Sequence, residues 1–165
     1  MLIPLLLGCV TLFITMGIQI SAVVYTLNYL FGFIDRVDAR HTVQQELQHK
    51  SKRTTAFLIS MVMTMLFIGN LIQAAIWAAL FLELGEFTDF NTAFYHSMVN
   101  FASLGYGDIV MSEKWRLLGA IEASNGVLMF GLSAGTMLSI MNWVLAFDSR
   151  LKEKVAHLKE RRANR

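Results

Sequence analysis

The sequence predicts an all-α membrane protein with three transmembrane helices and one shorter, re-entrant helix. Two observations carry this reading. Hydrophobic residues make up 55% of the 165 residues and charged residues only 16%, with a mean hydropathy of +0.51. A soluble domain carries about 25% charged residues. The charges are also segregated, leaving uncharged runs at 1–34, 54–82 and 123–147. Each run is longer than the roughly 20 apolar residues that cross hydrocarbon. A fourth uncharged run, 90–107, holds Asn91, His96, Ser97, Asn100 and Ser103 and ends in Gly-Tyr-Gly. It is too polar to span and reads as a helix that enters the membrane and turns back.

The charged segments set the topology. Segment 35–53 has five Lys/Arg and three acids, the tail 148–165 has seven and three, and segment 83–116 has two and five. Basic loops stay in the cytoplasm. The expected arrangement is a multi-pass protein of the cell membrane, of bacterial inner-membrane type, with the N-terminus outside and the C-terminus cytoplasmic. The first run lacks the basic flank of a secretory signal and is too long for its apolar core. Segment 35–53 is expected to be a polar cytoplasmic connector with a thin apolar stripe of Val37, Val43 and Leu47. The tail is expected to be a basic helix that bundles with its neighbours or rests on anionic lipid.

Several function classes drop out. One cysteine cannot build a disulfide framework or a Cys-based zinc site. A net charge of +2 gives no reason to expect a nucleic-acid partner. No Gly-rich phosphate loop, Ser-His-Asp set or paired carboxylates point to an enzyme, so neither catalysis nor an organic cofactor is expected. No Lys or Arg interrupts the first two spans, which speaks against a voltage sensor.

The stretch Ser103-Leu104-Gly105-Tyr106-Gly107-Asp108 carries the chemistry. Non-helical backbone at membrane depth leaves carbonyls unpaired, which is tolerated only inside protein or along a water- or ion-filled path. Gly105 and Gly107 open backbone conformations that let successive carbonyls point to one side. Four such strands about an axis make stacked oxygen rings that can replace the water shell of a potassium ion. Ser103 would add a ring of hydroxyls.

These residues resemble the pore module of the potassium channel superfamily: outer helix, pore helix, filter and inner helix. The usual filter there reads Thr-Val-Gly-Tyr-Gly-Asp. This chain matches at Gly105, Tyr106, Gly107 and Asp108, with Ser103 for Thr and Leu104 for Val. Ala93, Phe94, Tyr95 and His96 occupy the register of the family's pore-helix aromatics. Ala102 stands where many members have a second Thr, and Met111 where many have Pro. The resemblance covers about residues 54–147 and implies a tetrameric potassium-channel-like pore. The chain then divides into an additional N-terminal transmembrane helix (1–34), the connector (35–53), the pore module (54–147) and the basic tail (148–165). Within the module lie an outer helix (54–83), a pore helix (90–102), a filter (103–108) and an inner helix (115–147). The implied function is passive potassium-selective conduction by a homotetramer, with potassium held at Ser103, Leu104, Gly105, Tyr106 and Gly107. A weakly selective cation channel and a non-conducting membrane adaptor are the alternatives.

The resemblance also suggests support for the filter. Tyr95 is the candidate partner of Asp108, and His96 is expected near Tyr106, as a neutral packing group or a proton-sensitive brace. Asn100 faces either the filter backbone or a neighbouring helix. Glu122, an ionisable residue in the third span, has three readings: bonded behind the filter to Asn100 or the pore helix, facing the pore, or solvated at the interface. Gly126, Gly131 and Gly135 punctuate the inner helix as gating hinges or as close-packing positions. Ser133, Thr136 and Ser139 line a wet cavity or bond back to their own helix. Trp115 and Trp143 are expected to be interface anchors.

Overall fold

The computed structural model describes residues 2–40 and 47–163, with side chains over 2–29, 32, 56–57 and 59–143. Among the described residues the regular structure is four α-helices: α1 (Leu2–Arg40), α2 (Leu47–Glu83), α3 (Phe90–Phe101) and α4 (Arg116–Ala163). Three of them contain stretches long and apolar enough to cross a membrane: Leu2–Tyr29, Ile59–Glu83 and Arg116–Trp143. The first and third uncharged runs end inside helices rather than at their ends. Helix α1 continues to Arg40, α2 begins at Leu47, and α4 runs unbroken through the basic tail. A change from apolar to charged side chains alters the solvent a helix prefers, not its backbone hydrogen bonding. The side chains expected to meet anionic lipid in the connector and tail lie outside the described residues, as do residues 41–46 altogether.

Helix ends follow local chemistry. Gly85, at φ 73°, closes α2 in a Schellman motif, with Gly85 N donating to Leu82 O and Glu86 N to Phe81 O. Asp89 caps α3, its Oδ1 accepting from Thr92 N at 2.9 Å. That amide holds the exposed Asp89 carboxyl below its ordinary pKa.

Helix α3 packs between α2 and α4, and α1 lies against α2 and α4 away from α3. The half of the core around α3 is apolar: Ala74, Trp77 and Phe81 from α2, Phe101 from α3, Met111 and Trp115 from the loop that follows, and Leu118 and Met129 from α4. A smaller cluster joins Val62, Leu66 and Ile140, with Val23 and Leu27 against it. Trp115 is thus a core residue, its ring also covered by the Lys114 ammonium at 4.7 Å, and not simply an interface anchor.

Polarity along α1 is reversed relative to a soluble helix. Gly8, Thr11, Thr15, Gln19 and Thr26 are buried, while Leu2, Ile3, Leu6, Phe13 and Ile14 are exposed. Their spacing repeats every three or four residues, so the small and polar groups form one stripe. Hydrocarbon solvates the apolar face as well as protein does, so the polar stripe must point inward. The threonine hydroxyls are satisfied by their own helix, with Thr11 donating to Leu7 O, Thr15 to Thr11 O and Thr26 to Ala22 O. Thr136 and Ser139 of α4 do the same, donating to Leu132 O and Gly135 O.

Among the described glycines the tightest surroundings are at Gly126. A Cβ there would collide with the Phe101 carbonyl oxygen, whereas Gly131 and Gly135 have open space at that position. Gly126 therefore serves close packing of α4 on the end of α3. Gly126→Ala is expected to lower the stability of the solubilised protein by about 3 kcal/mol, the upper end for overpacking. Gly131→Ala should leave the same thermal-unfolding measurement nearly unchanged.

Candidate functional site

The segment after α3 begins as a helix cap and continues as a ribbon. Ser103 N donates to Asn100 O at 2.7 Å and Leu104 N to Val99 O at 2.9 Å, a second Schellman pair. The residue in the left-handed region is Ser103, at φ 57°, where glycine is usual. Gly105 follows at φ 59° and Gly107 at φ 72°. Positive φ thus falls on alternate residues, 103, 105 and 107, and not on Leu104 or Tyr106. In an all-β ribbon, successive carbonyls point to opposite sides. Alternating the sign of φ turns every second peptide and brings successive carbonyls toward the same side. Residues 103–108 are exposed in the single chain, Leu104 at 54% and Tyr106 at 65%.

Three side chains clamp the far end of the ribbon, beyond Gly107. Tyr95 Oη donates to Asp108 Oδ2 at 2.7 Å. His96 Nδ1 lies 3.1 Å from the Ile109 carbonyl oxygen. Glu86 accepts from Ser112 twice, from N at 2.7 Å and from Oγ at 2.6 Å. The partners of His96 determine its tautomer. The carbonyl of Ile109 can only accept, so Nδ1 carries the proton. Nε2 then accepts from Asn100 Nδ2 at 2.8 Å. Both ring nitrogens are satisfied in the neutral form, and burial lowers the pKa of His96 from its ordinary value.

Within the chain, the rings that meet His96 are Phe81, at 5.8 Å, and Phe87, at 5.0 Å. His96 lies on the α2 side of α3, where the apolar core excludes water. Asn100, bonded to His96, also approaches α4, where a Cβ on Gly119 would lie 3.0 Å from its Nδ2. It faces a neighbouring helix rather than the ribbon backbone.

Glu122 is fully buried, which removes both the pore-facing and the solvated readings. One oxygen, Oε1, is hydrogen-bonded to Ser97 Oγ. Ser97 Oγ also reaches the Ala74 carbonyl oxygen at 2.6 Å. The Glu122–Ser97–Ala74 chain therefore ties α4, α3 and α2 together behind the ribbon. Glu86, Ser97 and the Gly126–Phe101 contact were not singled out from the sequence as parts of this site. Glu86 and Ser112 are 26 residues apart, and no local spacing signals such a pair. Among the described residues no group of three or more His, Cys, Asp and Glu could hold a metal ion.

Acid acts on two of the clamps in the same direction. The hydrogen bond from Tyr95 holds Asp108 below its ordinary 3.8, and the same bond raises the pKa of Tyr95 above 10.0. A lowered pKa in the folded state means a contribution present above the ordinary value and lost as pH falls through the lowered one. For Asp108 that window lies below 3.8, and for His96 the loss begins below 6.5. Tyr95→Phe should move the Asp108 titration, followed by carboxyl carbon NMR, back up toward 3.8. For the inner tie, Glu122→Ala should cost about 1–3 kcal/mol in thermal unfolding, as for loss of a buried hydrogen bond. Glu122→Gln, which keeps an acceptor for Ser97, should cost less.

Comparison with known proteins agrees with this architecture. A family model described as an ion channel matches residues 57–142, slightly more than half of the chain, from within α2 to near the end of the apolar stretch of α4. No curated protein and no solved structure matches. The matched segment holds two of the helices long enough to span, the short helix between them and the ribbon. The chain belongs to the ion channel family.

Proposed function

We propose that the protein is a passive potassium channel in which four copies surround a central pore. The carbonyls of Ser103, Leu104, Gly105, Tyr106 and Gly107, with the Ser103 hydroxyl, form the ion sites. The observation that supports this most is the alternation of positive φ at residues 103, 105 and 107 in a segment that a single chain leaves uncovered. Such a backbone at membrane depth needs partners for its oxygens. Other copies of the same ribbon and a dehydrated cation supply them.

The remaining residues take supporting roles in this reading. Tyr95, His96 and Glu86 hold the outer end of the filter at Asp108, Ile109 and Ser112. Glu122 and Asn100 hold the pore helix against α4 from behind. Helix α3 ends at the inner end of the filter, so its negative pole favours a cation there. Helix α4 is the inner helix, and the open space at Gly131 and Gly135 suits bending in the gate. The topology is N-terminus out and C-terminus in, with the basic tail on the cytoplasmic face.

Purified protein in liposomes should carry potassium flux down a gradient, and its reversal potential in mixed sodium and potassium should follow potassium. Gly105→Ala, which places a Cβ at φ 59°, should reduce flux by at least tenfold while the complex still assembles. A reversal potential near zero in mixed ions would indicate a weakly selective cation pore. Absence of flux under all conditions would leave a non-conducting adaptor.

A further inference from the structure

The additional helix α1 is joined to the pore module by hydrogen bonds centred on Gln19. Gln19 Oε1 accepts from Gln73 Nε2 of α2 at 2.7 Å, and Gln19 Nε2 donates to Ser133 Oγ of α4 at 3.1 Å. Gln19 and Gln73 are fully buried. The node is built for this carboxamide. A Cβ on Gly69 would lie 2.7 Å from Gln19 Oε1, so any side chain there would push the amide aside. Gln73 Nε2 also donates to Gly69 O at 3.4 Å, which orients it toward Gln19. A second tie lies toward the other end of the same seam, where Asn125 Nδ2 donates to Thr15 Oγ1 at 2.8 Å. The Thr15 proton is already committed to Thr11 O, so that bond has a defined direction.

The position of the contact on α4 matters more than its existence. Ser133 lies midway between Gly131 and Gly135, two glycines of α4 with no neighbour at the Cβ position. Upstream, Gly126 is packed against Phe101. The stretch of α4 held by α1 at Ser133 is thus flanked by two positions with open space. An amide buried at membrane depth has no water to exchange to, so releasing Ser133 leaves a donor of Gln19 unpaired.

We propose that Gln19 is a positioning residue for the inner helix. Through Ser133 and Gln73 it holds the glycine-flanked stretch of α4 at a set distance from α2, which makes α1 a working part of the gate. This rests on the channel reading above, because it assigns gating to α4.

The test is single-channel recording of the full chain in planar bilayers. Ser133→Ala should shift the open–closed equilibrium about fivefold, the effect of one net hydrogen bond, and Gln19→Leu, which also removes the Gln73 bond, should shift it at least as far in the same direction. Unit conductance and reversal potential should stay as in the unaltered protein. The double variant should do no more than the larger single one, because both remove the same bond. Ser133→Thr, which keeps the hydroxyl, should restore the original equilibrium. Independent, multiplying effects, or an unchanged equilibrium, would overturn the proposal. Should Gln19→Leu fail to fold, the contrast between Ser133→Ala and Ser133→Thr decides alone. Should the unaltered protein carry no current, the channel reading fails. The node is then judged by a double-mutant cycle in melting temperature, where additive shifts would overturn the Gln19–Ser133 coupling as well.

Discussion

Backbone carbonyls without a helical partner are the constraint on which this structure turns. Inside a membrane such groups must be satisfied by protein, by trapped water or by an ion. After Ala102 the chain leaves helical geometry, and the positive φ values at 103, 105 and 107 hold the ribbon in an unusual form. Most of the polar contacts near it bear on that form. The Schellman bonds anchor its start, Tyr95, His96 and Glu86 clamp its far end, and the Glu122–Ser97–Ala74 chain fixes the helix behind.

The rest of the molecule follows the inverted logic of lipid as solvent. Apolar side chains gain little by leaving hydrocarbon, so helix association relies on close approach and on polar groups that need each other. Gly8 of α1 meets Ile121 and Leu118 of α4, Gly69 makes room for Gln19, and Gly126 makes room for Phe101. Each small residue stands where another helix presses in. Thr15, Gln19, Gln73 and Asn125 add directed bonds across the same seams. Packing and polarity therefore act at the same places rather than as separate layers.

Much of this was legible in the sequence, and the parts that were not share a cause. The helix count and the three spanning stretches follow from charge segregation, a one-dimensional property. The meeting of Tyr95 with Asp108, 13 residues apart, follows from the register of a short helix with the ribbon that follows it. By contrast, the polar stripe of α1 was hidden inside an uncharged run, because Thr and Gln carry no charge to interrupt it. Glu122 kept three readings until its distance from α3 was known. The ring partners of His96 are Phe81 of α2 and Phe87 of the loop that follows it, 15 and 9 residues away in the chain. Gly126 carries the same letter as Gly131 and Gly135, and only the Phe101 carbonyl, which a Cβ at Gly126 would strike, separates packing from freedom. Long-range contacts across helices leave no periodic trace in the chain.

The central claim is that identical ribbons from several copies face one axis with their oxygens. A high-resolution reconstruction of the purified complex in potassium tests it most directly. The account predicts fourfold symmetry, with a column of ion density between successive oxygen planes from Ser103 to Gly107. A particle without fourfold symmetry, or one whose Gly105 and Gly107 carbonyls turn away from the axis in potassium, would contradict it.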